Sequence, residues 1–249
     1  MLITDDKDQA AGLRELFSDS QSPAVHALSC PSRPAMVLPL VQISAHAMVA
    51  QGLTVAWVDE VDLDEREDWP VPCPVRFDLA QVLAGHVPLA DGLQALNPQF
   101  WYALSRRSQR LPRKVAASLV KRLQGSGLKF DAVVISLGAQ SAHALSMYHH
   151  KVHHTVLSST KPEDLNATLD WMVRLHTAQP VASWNLVFMS STESRIAFDW
   201  LDQAARPLLG QPLRLMGHVV SDAPSTQLSS VWAEPHELRD MLQKHLLTR

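Results

Sequence analysis

The chain has 249 residues, 46 % of them hydrophobic and 19 % charged, with 9 glycines, 16 prolines and a formal net charge of −3. That is enough apolar content for the packed core of one large domain, and the near-neutral balance excludes the basic footprint of a protein that coats nucleic acid. Glycine falls below the roughly 7 % usual in globular proteins, and none lies between Leu13 and Gln51; this excludes a glycine-rich phosphate cradle there, since such a loop turns its N–H groups inward through positive φ.

The first residues are polar and run into Ser18-Asp19-Ser20-Gln21-Ser22-Pro23, a linker composition that marks off a tail, residues 1–21, from a body, residues 22–249. In the tail, Thr4, Asp5 and Asp6 suit a helix start, and Ala10, Leu13 and Phe17 fall at i, i+3 and i+7 on one helical face. A helix this short is marginal in water and is expected to order on a partner.

The body reads as a strand at 24–29, a helix at 35–50 that is apolar on nearly every face, and a strand at 53–58 ending in acids. Short helices follow at 78–83 and 89–96, then a clearer helix at 112–124, with proline near its start and Gly125-Ser126-Gly127 at its end, and a strand at 132–137. The rest alternates strand 153–158, helix 162–177, strand 184–189, helix 193–209, strand 213–220 and a last helix at 235–247. Apolar runs without polar alternation are strands buried on both faces. Their alternation with helices predicts one α/β domain, a mostly parallel sheet flanked by helices.

The uncharged run 34–58 approaches bilayer length, but Pro39, Gln42, Ser44, His46, Gln51 and Gly52 interrupt it, so it is assigned to the core. Two cysteines, Cys30 and Cys73, and a start without the basic and apolar runs of a signal peptide give a cytoplasmic expectation.

The run Asp8-Gln9-Ala10-Ala11-Gly12-Leu13-Arg14, followed by a linker and a β-α-β body, resembles the DQAxxLR tail of the FlhG/FleN flagellar-number regulators, which are MinD/ParA-type P-loop proteins. Nearly the whole body continues the resemblance. The segment from Gly52 to Asp59 resembles the family's second strand ending in aspartate, and Phe130-Asp131-Ala132-Val133-Val134-Ile135 resembles the strand that ends in the Walker B aspartate. The helices around Phe77-Asp78 and Leu89, and the loop Ser159-Thr160-Lys161-Pro162-Glu163, have counterparts too. The fold this implies is P-loop NTPase-like, of the MinD/ParA type. The implied partner is an FlhF-like GTPase that the tail stimulates, with Gln9 near the partner's nucleotide, Ala10 and Leu13 on the apolar contact face, and Asp8 and Arg14 fixing orientation.

The departures bear on chemistry. Where the family has K-G-G-x-G-K-T, this chain has Cys30-Pro31-Ser32-Arg33-Pro34-Ala35-Met36-Val37, with no lysine or glycine, and two prolines that donate no N–H. Ser136 stands where the Walker B carboxylate belongs, and the strand around Trp184 lacks the family's asparagine towards its end. Asp59, Glu60, Asp62, Asp64, Glu65, Glu67 and Asp68 crowd the segment after the second strand and would repel a nucleotide; the plainer reading is a solvated acidic loop. The expectation is therefore a pseudo-ATPase without cofactor, metal or catalytic residue, which regulates flagellar number or placement. The alternative is an ATPase with an atypical site, in which Arg33 is the one cation left to meet a phosphate.

Other constellations carry less. His149, His150, His153 and His154 suggest a metal site, but 150 and 154 sit about 13 Å apart if the segment is a strand. Arg106, Arg107, Arg110, Arg113, Lys114, Lys121 and Arg122 read as a solvated face, without the interleaved aromatics of a nucleic-acid groove. Leu238, Met241, Leu242 and Leu246 make an apolar stripe on the last helix, expected to pack on the sheet; weak contact with a membrane surface is its other use, with recruitment to the cell pole or inner membrane face.

Overall fold

The computed structural model describes residues 23–62, 75–106, 128–138, 152–178, 181–189 and 193–218. In chain order these form β1 (Ala24–Ser29), α1 (Val37–Val49), β2 (Val55–Asp59), α2 (Leu79–Leu83), α3 (Leu89–Gly92), β3 (Gln94–Asn97), β4 (Phe100–Leu104), β5 (Ala132–Leu137), β6 (Val152–Ser158), α4 (Pro162–Ala178), β7 (Val181–Phe188), α5 (Ser194–Leu209) and β8 (Arg214–His218). The strands make one eight-stranded sheet in the order β3-β4-β2-β5-β1-β6-β7-β8. All pairings are parallel except that of the edge strand β3 with β4.

The sequence explains why these strands sit inside. β1, β2 and β5 have almost no exposed side chain, as expected of a parallel sheet covered on both sides. On the first face, Val25, Ala27, Val133, Ile135, Val156, Leu186 and Phe188 meet α2, α4 and α5. On the second, Leu28, Trp57, Val134, Leu157 and Val187 form a layer with Val37, Leu40, Val41 and Met48 of α1. The one buried hydroxyl of α1, Ser44, is satisfied within the helix by donating to the carbonyl of Leu40 at 2.7 Å.

The expected strands at 24–29 and 132–137 are observed over those residues, and the other strands, together with the helices at 35–50, 78–83, 162–177 and 193–209, differ only at their ends. The expected helix at 89–96 is wrong in its second half. The chain leaves the helix after Gly92, Leu93 is extended, and Gln94–Asn97 pairs antiparallel with β4 across a tight turn in which Asn97 Oδ1 accepts the amide of Gln99 at 2.8 Å. β4 itself was not anticipated, because Phe100-Trp101-Tyr102 reads as an aromatic block. The expected helices at 112–124 and 235–247 lie outside the described residues. Among the described residues no helix is long and apolar enough to cross a membrane.

Candidate functional site

In an open α/β sheet, ligands bind beyond the carboxyl ends of the strands where the order reverses. Here that place lies between β1 and its neighbours β5 and β6, since the chain leaves β1 toward β2 on one side and later passes to β6 on the other. The segment capping β1 is the one that would cradle phosphate.

Three amides of that segment are bonded within it. The N–H of Arg33 donates to Cys30 O at 3.2 Å and that of Met36 to Arg33 O at 3.0 Å. Pro34–Met36 forms one turn of 3-10 helix closed by the N–H of Val37, and Pro31 and Pro34 have no N–H to offer. A phosphate loop needs successive amides free and aimed at one point. Arg33 is the exposed residue of the turn. Cys30 beneath it is buried, and burial pushes its thiol up, so it stays protonated and unreactive. At the end of β1, Ser29 Oγ accepts the indole N–H of Trp171 from α4 at 3.0 Å.

Beside this turn lies a buried polar network. Asp59, the last residue of β2, is fully buried and accepts from Tyr102 Oη of β4 at 2.6 Å, from Ser136 Oγ of β5 at 2.8 Å and from the amide of Val61 at 3.1 Å. Ser136 in turn accepts the indole N–H of Trp57 at 3.0 Å. The in-register pairing of Asp59 with Leu104 and with Ser136 brings these groups together. Each carboxylate oxygen of Asp59 is thus held by an internal donor, a strong arrangement in a dry site.

This corrects one expectation. Asp59 and Glu60 are fully buried, so the acidic segment does not begin as a solvated loop. Asp62 is partly buried, and residues 63–68 lie outside the described residues. Ser136 occupies the strand end expected for it, and its hydroxyl points to Asp59. Sequence reasoning missed Tyr102 and Trp57, whose roles needed the strand register; the available signal was a tyrosine and a tryptophan in apolar runs whose polar atoms require a partner.

The loop after β6 is ordered by Ser159, which accepts the amide of Lys161 at 3.1 Å and donates to Asp164. The histidine run separates as a strand dictates. His154 is buried against Trp184, while His153 is exposed and stacks on His26 of β1. His149 and His150 lie outside the described residues, and no group of three or more metal-binding side chains occurs among the described ones. Asp8, Gln9, Ala10, Leu13 and Arg14 also lie outside them, as do Leu238, Met241, Leu242, Leu246 and the basic cluster beyond Arg106.

No family model and no curated protein matches the chain. Solved structures do. The MinC:MinD cell division protein complex of Aquifex aeolicus matches at 13 % identity and TM-score 0.62, over 91 % of this chain and 96 % of that one. A ParA family ATPase from Chlorobium tepidum matches at 14 % and 0.64, over 91 % and 99 %. A plasmid partition protein of Borrelia burgdorferi bound to AMPPNP matches at 9 % and 0.60, over 90 % and 99 %. The chain has the MinD/ParA fold of P-loop NTPases.

Proposed function

We propose that this chain is a non-catalytic regulator: a MinD/ParA-type body that has given up nucleotide, carrying a tail that binds and stimulates an FlhF-like GTPase and so sets flagellar number or placement. The observation that carries the first half is the turn after β1. Its amides at Arg33, Met36 and Val37 are bonded within the turn, and its prolines have none. The Borrelia protein of this fold is bound to AMPPNP; in this chain the turn after β1 has no lysine, three of its amides are bonded within it, and Asp59 is tied into the sheet.

The second half rests on the tail, where Asp8, Gln9, Ala10, Leu13 and Arg14 match the activating motif. A side-chain amide such as Gln9 can orient the attacking water in phosphoryl transfer. The working place in this reading is the cytoplasm, with recruitment to the cell pole or inner membrane face.

Two measurements on the full chain test this. GTP turnover by an FlhF-like GTPase is expected to rise when the chain is added and to fall back with Gln9→Ala; equal turnover in both would sink the tail's role. ATP with Mg²⁺ is expected to leave the thermal midpoint unchanged, because only a ligand that binds the folded state raises it. Clear stabilisation would favour an ATPase with an atypical site around Arg33.

A further inference from the structure

The two long helices on the first face of the sheet differ in what they show to the outside. α4 turns Glu163, Asn166, Asp170, Arg174 and Thr177 outward, as a helix bounded by water does. α5 packs beside it and buries Ala197, Phe198, Leu201, Ala205 and Leu209 in the core. On its other side it leaves Ile196, Trp200 and Leu208 72 %, 44 % and 54 % exposed. Among the described residues these are the large hydrophobic side chains that stand exposed, and all of them sit on this one helix. Scattered apolar groups on a surface need no account, but a contiguous run does.

The run has a pattern. Ile196, Trp200, Ala204 and Leu208 recur every four residues and make one ridge along the helix, about 18 Å long at 1.5 Å per residue. This spacing reads the same in both directions. A second copy of α5 laid antiparallel across a two-fold axis therefore sets Ile196 against Leu208 and Trp200 against Ala204, so that the bulkiest side chain of the ridge falls on the smallest. A parallel copy would set Trp200 on Trp200.

Charge selects the same arrangement. At helical spacing Asp199 and Arg206 lie on one flank of the ridge, and both side chains are more than half exposed. An antiparallel pair brings that flank against the same flank of the copy, where Asp199 of each chain comes within a turn of Arg206 of the other, two attractions by symmetry. Within the chain Arg195 pairs with Asp199 at 3.2 Å and lies over the ring of Phe198, and Arg206 pairs with Asp202. The charges of α5 thus cancel. Such a face neither repels its own copy nor has the cationic flank that draws a helix to an anionic membrane surface.

We infer that the outer face of α5 is a self-association surface, on which a second copy of this chain packs antiparallel through Ile196, Trp200, Ala204 and Leu208, with reciprocal Asp199–Arg206 pairs. The surface is one helix wide, short of the about 800 Å² per partner of a stable dimer, so the pair forms with a Kd of roughly 10–100 µM. α5 joins β7 to β8, which β6 separates from β1, and its outer face shares no residue with the turn after β1 or with the tail.

Sedimentation of the full chain from about 5 to about 500 µM tests this. A monomer–dimer equilibrium that stops at the dimer is expected. Asp199→Arg and Arg206→Asp are each expected to weaken it about tenfold or more, because each sets like charges together twice. An equimolar mixture of the two variants is expected to restore it, since each then carries the charge the other lacks, and recovery on mixing also shows that both variants fold. A monomer at the highest concentration overturns the inference and leaves the face to a segment of the same chain. Growth beyond the dimer overturns it as well, because a two-fold contact closes on itself. So does undiminished pairing in both single variants, or no recovery in their mixture. Flotation with phosphatidylglycerol–phosphatidylcholine vesicles that is lost in Trp200→Glu would assign the face to lipid and also overturn it.

Discussion

Ser136 donates its hydroxyl to Asp59 Oδ1 at 2.8 Å across the β2–β5 pairing, so the buried carboxylate that ends one strand is held by a donor from the next. A carboxylate at that position would face Asp59 across a dry strand pair. A hydroxyl there turns repulsion into a bond, and Tyr102 adds a second donor from the other side.

Removing one of these donors leaves a buried carboxylate short of a partner. Ser136→Ala and Tyr102→Phe are each expected to lower unfolding free energy by about 1–3 kcal/mol, measured by urea denaturation at pH 7. Ser136→Asp is expected to cost more than Ser136→Ala at pH 7 and to recover in part as pH falls and one carboxyl protonates. Equal stability of Ser136→Asp and the unaltered chain would show that the network does not constrain this position.

Much of the sheet is legible in the sequence because its strands are buried on both faces: the apolar runs at 24–29 and 132–137 have one reading, and Gly125-Ser126-Gly127 precedes the second of them. β3 and β4 are not legible for the opposite reason. Gln94–Asn97 is a half-exposed edge strand whose pattern also suits a helix, and only the antiparallel pairing with β4 decides between them. At the site, the absence of glycine and lysine after β1 is visible in the sequence, whereas the bonding of the amides of Arg33, Met36 and Val37 within the turn is not. Nor is the meeting of Trp57, Asp59, Tyr102 and Ser136, which depends on the register of three strands.

Gly92 ends α3 where no side chain fits, since a Cβ built there would lie 2.4 Å from Val82 Cγ2, in the core. Gly92→Ala is expected to cost about 1–3 kcal/mol by overpacking. Val82→Ala in the same chain should return part of that loss, and a double-mutant cycle in denaturant would show the coupling.

The two ends of α5 make a mirrored pair. Glu193 before it adopts a left-handed conformation, φ 60 and ψ 4, with no side-chain bond to the helix, and Gly210 after it adopts φ 65 and ψ 10. A residue with a Cβ is strained in that region, so Glu193→Gly is expected to gain roughly 0.5–1 kcal/mol once the added freedom of the unfolded chain is subtracted. Gly210→Ala is expected to lose about 1 kcal/mol although the space around it is open. Thermal midpoints moving in opposite directions would support the backbone account, and two falls would refute it.

The buried histidines make stability depend on pH. Burial, aided by neighbouring His153, lowers His26 to about 4, and burial alone lowers His154 to about 3. Both are neutral in the fold at pH 5, while in the unfolded chain they take up protons as pH falls through about 6.5. The unfolded state therefore binds more protons below that value, and stability falls with pH, by about 2 kcal/mol per histidine between pH 7 and pH 5. Neither ring nitrogen of His154 meets a hydrogen-bond partner, so an apolar replacement forfeits no bond there. His154→Leu is expected to fold at pH 7 and to show a shallower fall toward pH 5 than the unaltered chain, by about half if His26 carries the rest. Parallel curves for the two proteins would mean that His154 takes no part in the acid sensitivity.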